Sequence, residues 1–246
     1  MIISHRHKFI FIKNRKVGST STEVALQKIC GPEDILTPDS MWGRESDVLL
    51  PQAKNYHSKY FPLREIIQNH NLVDTARALR DMAQRPKFYN HMRASSVRAR
   101  ISRKVWDTYY KFCFDRNPWD KTVSFYYWFG RRGTLPPFNE YLRNHRKYGT
   151  NDQTLPSDWT RYTLRNTLIV DDVFDYADLE SGLRTALTRA GVEENIINEA
   201  TLGTEKTAIR KKRSVEFDPD VDAIIRRAFR NEILTFPFCA SPPSDI

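Results

Sequence analysis

Two short stretches hold the residues best suited to chemistry: "KVGSTST" at 16–22 and "DRNPWDKTVS" at 115–124. In the first, Lys16, Gly18 and four consecutive hydroxyl residues follow an apolar run, and an apparent helix starts at once. A helix N-terminus presents N–H groups that lack intrahelical partners, together with the positive end of the helix dipole. Gly18 permits close backbone approach, Ser19, Thr20 and Ser21 add hydroxyl donors, and Lys16 adds charge. Such a set suits a phosphate with two or more negative charges. It is not the ATP-type loop, G-x-x-x-x-G-K-[ST], because the lysine here stands two residues before the glycine. An ordinary helix with a Ser/Thr-rich cap has the same composition.

The second stretch puts Arg116 at the end of the apolar run "YYKFCFD", Pro118 at the first turn of a helix and Ser124 about two turns along it. Ligands gather at strand ends in open α/β sheets, and an arginine fork beside a hydroxyl clamps phosphate well. A structural salt bridge is the other reading of Arg116. Asp115, and Asp171 in "LIVDD", each end an apolar strand in an aspartate, as a magnesium ligand of a nucleotide-hydrolysing site would.

These residues need elements to hold them. Residues 9–12, "FIFI", read as a fully buried strand and 20–30 as a helix ended by "CGP". Residues 33–60 show no clear element. Helices are expected at 61–71, 72–85, 95–104, from Pro118 onward, at 178–191 with Asp178 as cap and Gly191 as stop, and at 218–236. Strands are expected at 87–91, 108–115 and 168–176, and a loop carrying "RKKR" at 201–217. Alternation of strands and helices gives an α/β fold with a mostly parallel central sheet flanked by helices.

The chain has 246 residues, 40% of them hydrophobic, enough for the core of one domain. Lysine plus arginine exceed aspartate plus glutamate by 39 to 30, a net charge of +9 that favours an anionic partner: a phosphorylated cofactor, nucleic acid, an acidic polymer or a membrane surface. Three scattered cysteines make no disulfide framework or zinc spacing. No signal peptide is legible at the start and no window reaches the roughly 20 apolar residues of a membrane span, so a cytoplasmic protein is expected.

The chain resembles the sulfotransferases that use 3′-phosphoadenosine 5′-phosphosulfate (PAPS), in particular the branch with carbohydrate sulfotransferases. The stretches that carry the likeness are "RKVGSTS" (15–21), "DRNPWDKTVSFYY" (115–127), "NHMRASSVRARI" (90–101), "FDYADLESGLRTALTRAG" and the end at 229–238. The resemblance implies a P-loop NTPase-like sulfotransferase fold in one domain, 1–246, with 33–85 and 130–165 shaping the acceptor site. It implies that Lys16, Gly18, Ser19, Thr20 and Ser21 bind the 5′-phosphosulfate. Arg116 and Ser124 would hold the 3′-phosphate, with Arg213 and Ser214 closing over the nucleotide. PAPS would be the donor, with no metal required, and the acceptor a hydroxyl or amine group of a glycan or small compound; the positive charge and the aromatic residues at 126–129 and 141–148, expected to be exposed, suit a saccharide. His91 is the implied base, with His57 second and Glu23 a third choice. Three positions depart from the family's spelling: Arg15 replaces a proline, Asp115 an apolar residue and Lys121 an arginine. A kinase with a degenerate loop, and a non-enzymatic protein binding nucleic acid or another polyanion, are the other readings.

Overall fold

The computed structural model describes residues 1–38, 52–57, 76, 88–130, 133–144, 155–202 and 215–243. The helices expected at 61–71 and 72–85, Arg213, Ser214 and most of the 201–217 loop lie outside these. The core is a five-stranded sheet in the order β3-β1-β2-β4-β7, formed by β1 (Ile2–Ser4), β2 (Phe9–Ile12), β3 (Ile35–Leu36), β4 (Tyr110–Asp115) and β7 (Asp172–Asp175). Strands β2, β4 and β7 run parallel, in registers that include Ile12↔Cys113 and Asp115↔Asp175. Strand β1 pairs antiparallel with both β2 and β3, so one strand of five runs against the other four and the sheet is mostly parallel, as expected.

Side chains alternate across the sheet, as the pleat requires. Phe9, Phe11, Phe112 and Phe114 face a cluster with Leu26, Leu183 and Leu187, from α1 (Ser19–Ile29) and a later helix, Leu179–Arg189. Ile10, Ile12 and Cys113 face the opposite cluster, with Val97, Trp106 and Tyr162. Both faces are thus covered by helices, and that is why β2 reads as an unbroken apolar run. Gly182 lets the covering helix come close: a Cβ there would lie 2.8 Å from the Phe114 ring. A third cluster joins α4 (Pro118–Gly130), α5 (Phe138–Arg143) and the helix Pro219–Ala228 through Trp119, Tyr141 and Ile225.

Several elements differ from expectation. Three-residue β1 and two-residue β3 are too short to show a period, and β3 falls within the stretch read as irregular. No strand forms at 88–91, where His91 turns with φ 54. The basic helix splits into α2 (Ala94–Ala99) and α3 (Arg103–Thr108), because the Ser102 hydroxyl caps a fresh start by accepting from the Val105 amide at 3.2 Å. The strand at 168–176 shortens to β7, while β6 (Thr167–Leu168) pairs with β5 (Thr163–Leu164) in a separate hairpin just after α6 (Trp159–Tyr162). Residues 179–189 form α7, to which Asp178, expected as its cap, gives no side-chain hydrogen bond, and Glu194–Glu199 form α8. The last helix breaks at Phe229 into α9 (Pro219–Ala228) and α10 (Arg230–Thr235). Tyr141, expected exposed, is buried. Among the described residues no helix is long and apolar enough to cross a membrane.

Candidate functional site

All three parallel strands deliver residues to one edge of the sheet, beyond their C-terminal ends. Strand β2 leads into Lys13–Gly18, β4 into Arg116, and β7 into Tyr176. The first loop is pinned at both ends. Asn14 Nδ2 donates to the Phe114 carbonyl at 2.9 Å, and Val17 is wholly buried. Between these anchors Lys16 adopts φ 59, and just past them Gly18 adopts φ 64, both left-handed. A side chain at Gly18 would meet the Tyr176 ring at 2.8 Å. The Thr22 amide makes the first helical bond, to the Gly18 carbonyl at 3.1 Å. The amides of Ser19, Thr20 and Ser21 precede it and open onto the helix end, whose first turn holds no acidic residue.

Arg116 knits the second loop to the first. Its Nη1 donates to the Lys16 carbonyl at 2.9 Å, while Nε and Nη2 grip Asp120 at 2.6 and 2.8 Å. Its guanidinium lies 4.6 Å from the centre of the Tyr176 ring. The salt bridge considered for Arg116 is therefore present. Among the described residues it engages three of the five N–H donors of a guanidinium, leaving two for an oxyanion. Asp120, Ser124 and Trp128 follow Arg116 at steps of four, one face of α4. Ser124 is half-buried, and Lys16 Nζ sits 5.7 Å from the centre of the Trp128 ring. Lys16, Gly18, Arg116 and the Ser124 face thus converge.

Beneath this edge lies a buried charge network. Lys121 Nζ donates to Asp115 at 2.6 Å and to Asp158 at 2.8 Å, all three groups being out of solvent. Asp158 also accepts from the Arg15 amide and Nε, each at 2.8 Å, and from Arg161 Nε at 2.7 Å. Burial alone would raise the Asp158 carboxyl, yet Arg15, Lys121 and Arg161 together hold it well below the usual carboxylate range. Burial pulls on Lys121 in the opposite sense, and its two aspartates hold it above its ordinary value. The three positions that depart from the family's spelling, Arg15, Asp115 and Lys121, are the ones this network joins.

Neither aspartate considered for magnesium is offered to a ligand edge. Asp115 accepts from Lys121, from Tyr162 at 2.7 Å and from the Arg116 amide at 2.8 Å. Asp171 lies at the opposite end of the sheet, accepting from the Lys111 amide at 2.7 Å. Among the described residues no three His, Cys, Asp or Glu side chains are grouped to hold a metal ion.

His91 stands against the first loop. Its Nδ1 lies 3.1 Å from the Lys13 carbonyl. A carbonyl only accepts, so this nitrogen carries the proton and Nε2 keeps its lone pair. Burial, with the charges of Lys13 and Arg161, pushes the imidazole down to about 3. The Glu23 carboxylate is buried and paired to Lys13 Nζ at 2.6 Å, which occupies it. His57 stacks on Tyr56 at 4.7 Å, and the Tyr56 carbonyl accepts from the Phe88 amide at 2.7 Å, three residues before His91.

Sequence reasoning missed Asp120, Tyr176 and Asp158. The four-residue step from Arg116 carried a signal for Asp120; nothing local marked the other two.

A sequence model described as "Sulfotransferase family" matches residues 1–239. The chain is also similar to an uncharacterized protein of Archaeoglobus fulgidus, 32% identical over 110 residues that make up 43% of this chain and 87% of that protein. No solved structure matches it.

Proposed function

The chain belongs to the sulfotransferase family, and from that premise we propose that it moves the sulfuryl group of PAPS onto a hydroxyl, with a carbohydrate as acceptor. Family membership carries the general reaction, sulfuryl transfer from a nucleotide sulfate donor. The finer reading rests above all on the Arg116–Lys16 bond. That bond fixes two anion-seeking loops side by side, a spacing suited to a nucleotide phosphorylated at both ends. A P-loop-like strand–loop–helix, β2–α1, is the architecture this reading uses.

In this reading Lys16 and the amides and hydroxyls of Gly18, Ser19, Thr20 and Ser21 hold the 5′-phosphosulfate. Arg116 and Ser124 hold the 3′-phosphate, with Arg213 and Ser214 closing over the nucleotide. The acceptor oxygen attacks sulfur in line. As the new S–O bond forms, the bond from sulfur to the 5′-phosphate oxygen breaks, and Lys16 stabilises the charge left on that oxygen. The acceptor's proton passes to His91 Nε2. A donor carrying several negative charges next to this loop raises the imidazole from its depressed value toward the range useful for a base. Trp128 supplies an aromatic surface beside Lys16 for a sugar ring.

Adenosine 3′,5′-bisphosphate without magnesium should stabilise the protein by about 2.7 kcal/mol at 100 times its dissociation constant. ³⁵S-labelled PAPS should label a member of a panel of glycans and phenols. A response only to ATP with magnesium would overturn the reading in favour of a kinase. Salt-sensitive binding to nucleic acid with no effect of the bisphosphate would overturn it in favour of a polyanion binder.

A further inference from the structure

Lys16 and His91, the two residues read above as acting at the sulfuryl group, share an uncommon feature. Both are non-glycine residues in the left-handed region, at φ 59 and φ 54. That conformation costs about 1–2 kcal/mol per residue and persists only where the surroundings over-determine it. The surroundings here form a ring. His91 Nδ1 donates to the Lys13 carbonyl, and the His91 carbonyl accepts in turn from Arg161 Nη1. Arg161 Nε donates to Asp158 Oδ1, and Asp158 accepts from the backbone and side chain of Arg15. Arg15 is next to Lys16 and two residues from Lys13, so the ring closes on the phosphate loop.

We propose that Asp158 and Arg161 are positioning residues that set His91 at a fixed distance from the phosphate loop. Neither need touch donor or acceptor. Asp158 holds one arm on Arg15 and the other on Arg161, and Arg161 carries the constraint to the backbone of His91. A buried ion pair is a poor source of stability, since desolvation offsets most of its attraction. The arrangement gains more as a spacer: an in-line transfer needs base, acceptor and sulfur aligned, and about 1 Å of misplacement costs on the order of 100-fold in rate. The inference rests on the reading of His91 as base and Lys16 as the donor's contact.

The test uses Arg161→Ala in the full chain, with two independent readouts. In ¹⁵N-histidine-labelled protein, the ring proton on His91 Nδ1 should exchange slowly in the wild type and lose its protection in the variant. In turnover of ³⁵S-labelled PAPS, kcat should fall about 10–100-fold while affinity for adenosine 3′,5′-bisphosphate stays within roughly threefold. Added guanidinium should restore part of the lost kcat. Undiminished ring-proton protection, affinity falling in step with kcat, or no rescue would each overturn the proposal. Should R161A not fold, R161Q, which keeps an N–H donor without the charge, takes its place with the same outcomes. A wild-type chain that neither turns over PAPS nor binds the bisphosphate defeats the functional reading instead, and the exchange measurement still decides the ring.

Discussion

Arg116 Nη1 donates to the carbonyl of Lys16 across 2.9 Å, joining two loops 100 residues apart in the chain. The contact uses an arginine side chain and a backbone oxygen, so it sets where the second loop lies without using the Lys16 ammonium. Replacing Arg116 by lysine keeps a charge and removes the fork that reaches Asp120 and Lys16 together. Calorimetry with adenosine 3′,5′-bisphosphate should show affinity lower by about 10–100-fold, with the acceptor KM unmoved. Equal losses for nucleotide and acceptor would argue against a 3′-phosphate clamp.

Lys16 combines a useful charge with a costly backbone angle. Lys16→Gly removes both. Its urea midpoint should rise, in keeping with about 1 kcal/mol of relieved left-handed strain, partly offset by the extra freedom of an unfolded glycine. Turnover should fall at least ~100-fold, as when a donor to a developing oxyanion is lost. A variant that is both less stable and active would mean that the loop has another task.

Gly18 is shaped by a neighbour from the far strand. Gly18→Ala puts a methyl 2.8 Å from the Tyr176 ring and at φ 64, so a loss of about 1–3 kcal/mol is expected by thermal or urea unfolding. Shortening Tyr176 to alanine in the same chain should recover part of that loss. If the two changes simply add, the ring is not the obstacle.

Glu232 gives a pH signature. It is buried, accepts from the Ser157 hydroxyl at 2.5 Å, and is pushed up to about 7 by burial and then by Asp115. Its folded value lies above its unfolded one, so the folded chain binds the extra proton between about pH 4.5 and pH 7. Its contribution is complete below the unfolded value and is lost as pH rises through about 7, by roughly 3 kcal/mol in all. Glu232→Gln should remove this slope, read as the difference between wild-type and variant urea midpoints from pH 5 to pH 8. Parallel curves would sink the assignment.

His91 slopes the opposite way. Its imidazole is held down to about 3, so the unfolded chain takes up the proton first as acid is added. The stabilisation is complete above the ordinary histidine value and drains away as pH falls toward about 3. The difference between wild-type and His91→Asn urea midpoints should therefore rise from pH 4 to pH 7, measured in the same unfolding series, and a flat difference would count against the assignment.

Much was legible in residue order because it is local. The apolar run Phe9–Ile12 is buried on both sides, and Lys16-Val17-Gly18 followed by hydroxyl residues breaks from it into a helix. Pro118 starts α4, and Arg116 stands at the end of β4. Each feature follows from strand burial, helix termination or backbone freedom within a few residues. That is enough to establish an α/β chain and to mark two loops whose residue types suit an anion.

Only the tertiary structure decided what those loops touch. Tyr176 reaches Gly18 and Arg116 because β7 pairs with β4, and that pairing brings together residues 60 or more positions apart. Asp158 is a lone acid in a polar stretch until the fold buries it among Arg15, Lys121 and Arg161. His91 looked like the end of a strand and became a turn held by two distant partners. A sequence carries periodicity and chain-neighbour chemistry directly, whereas the low-dielectric meeting of charges from separate elements exists only after the chain has closed on itself.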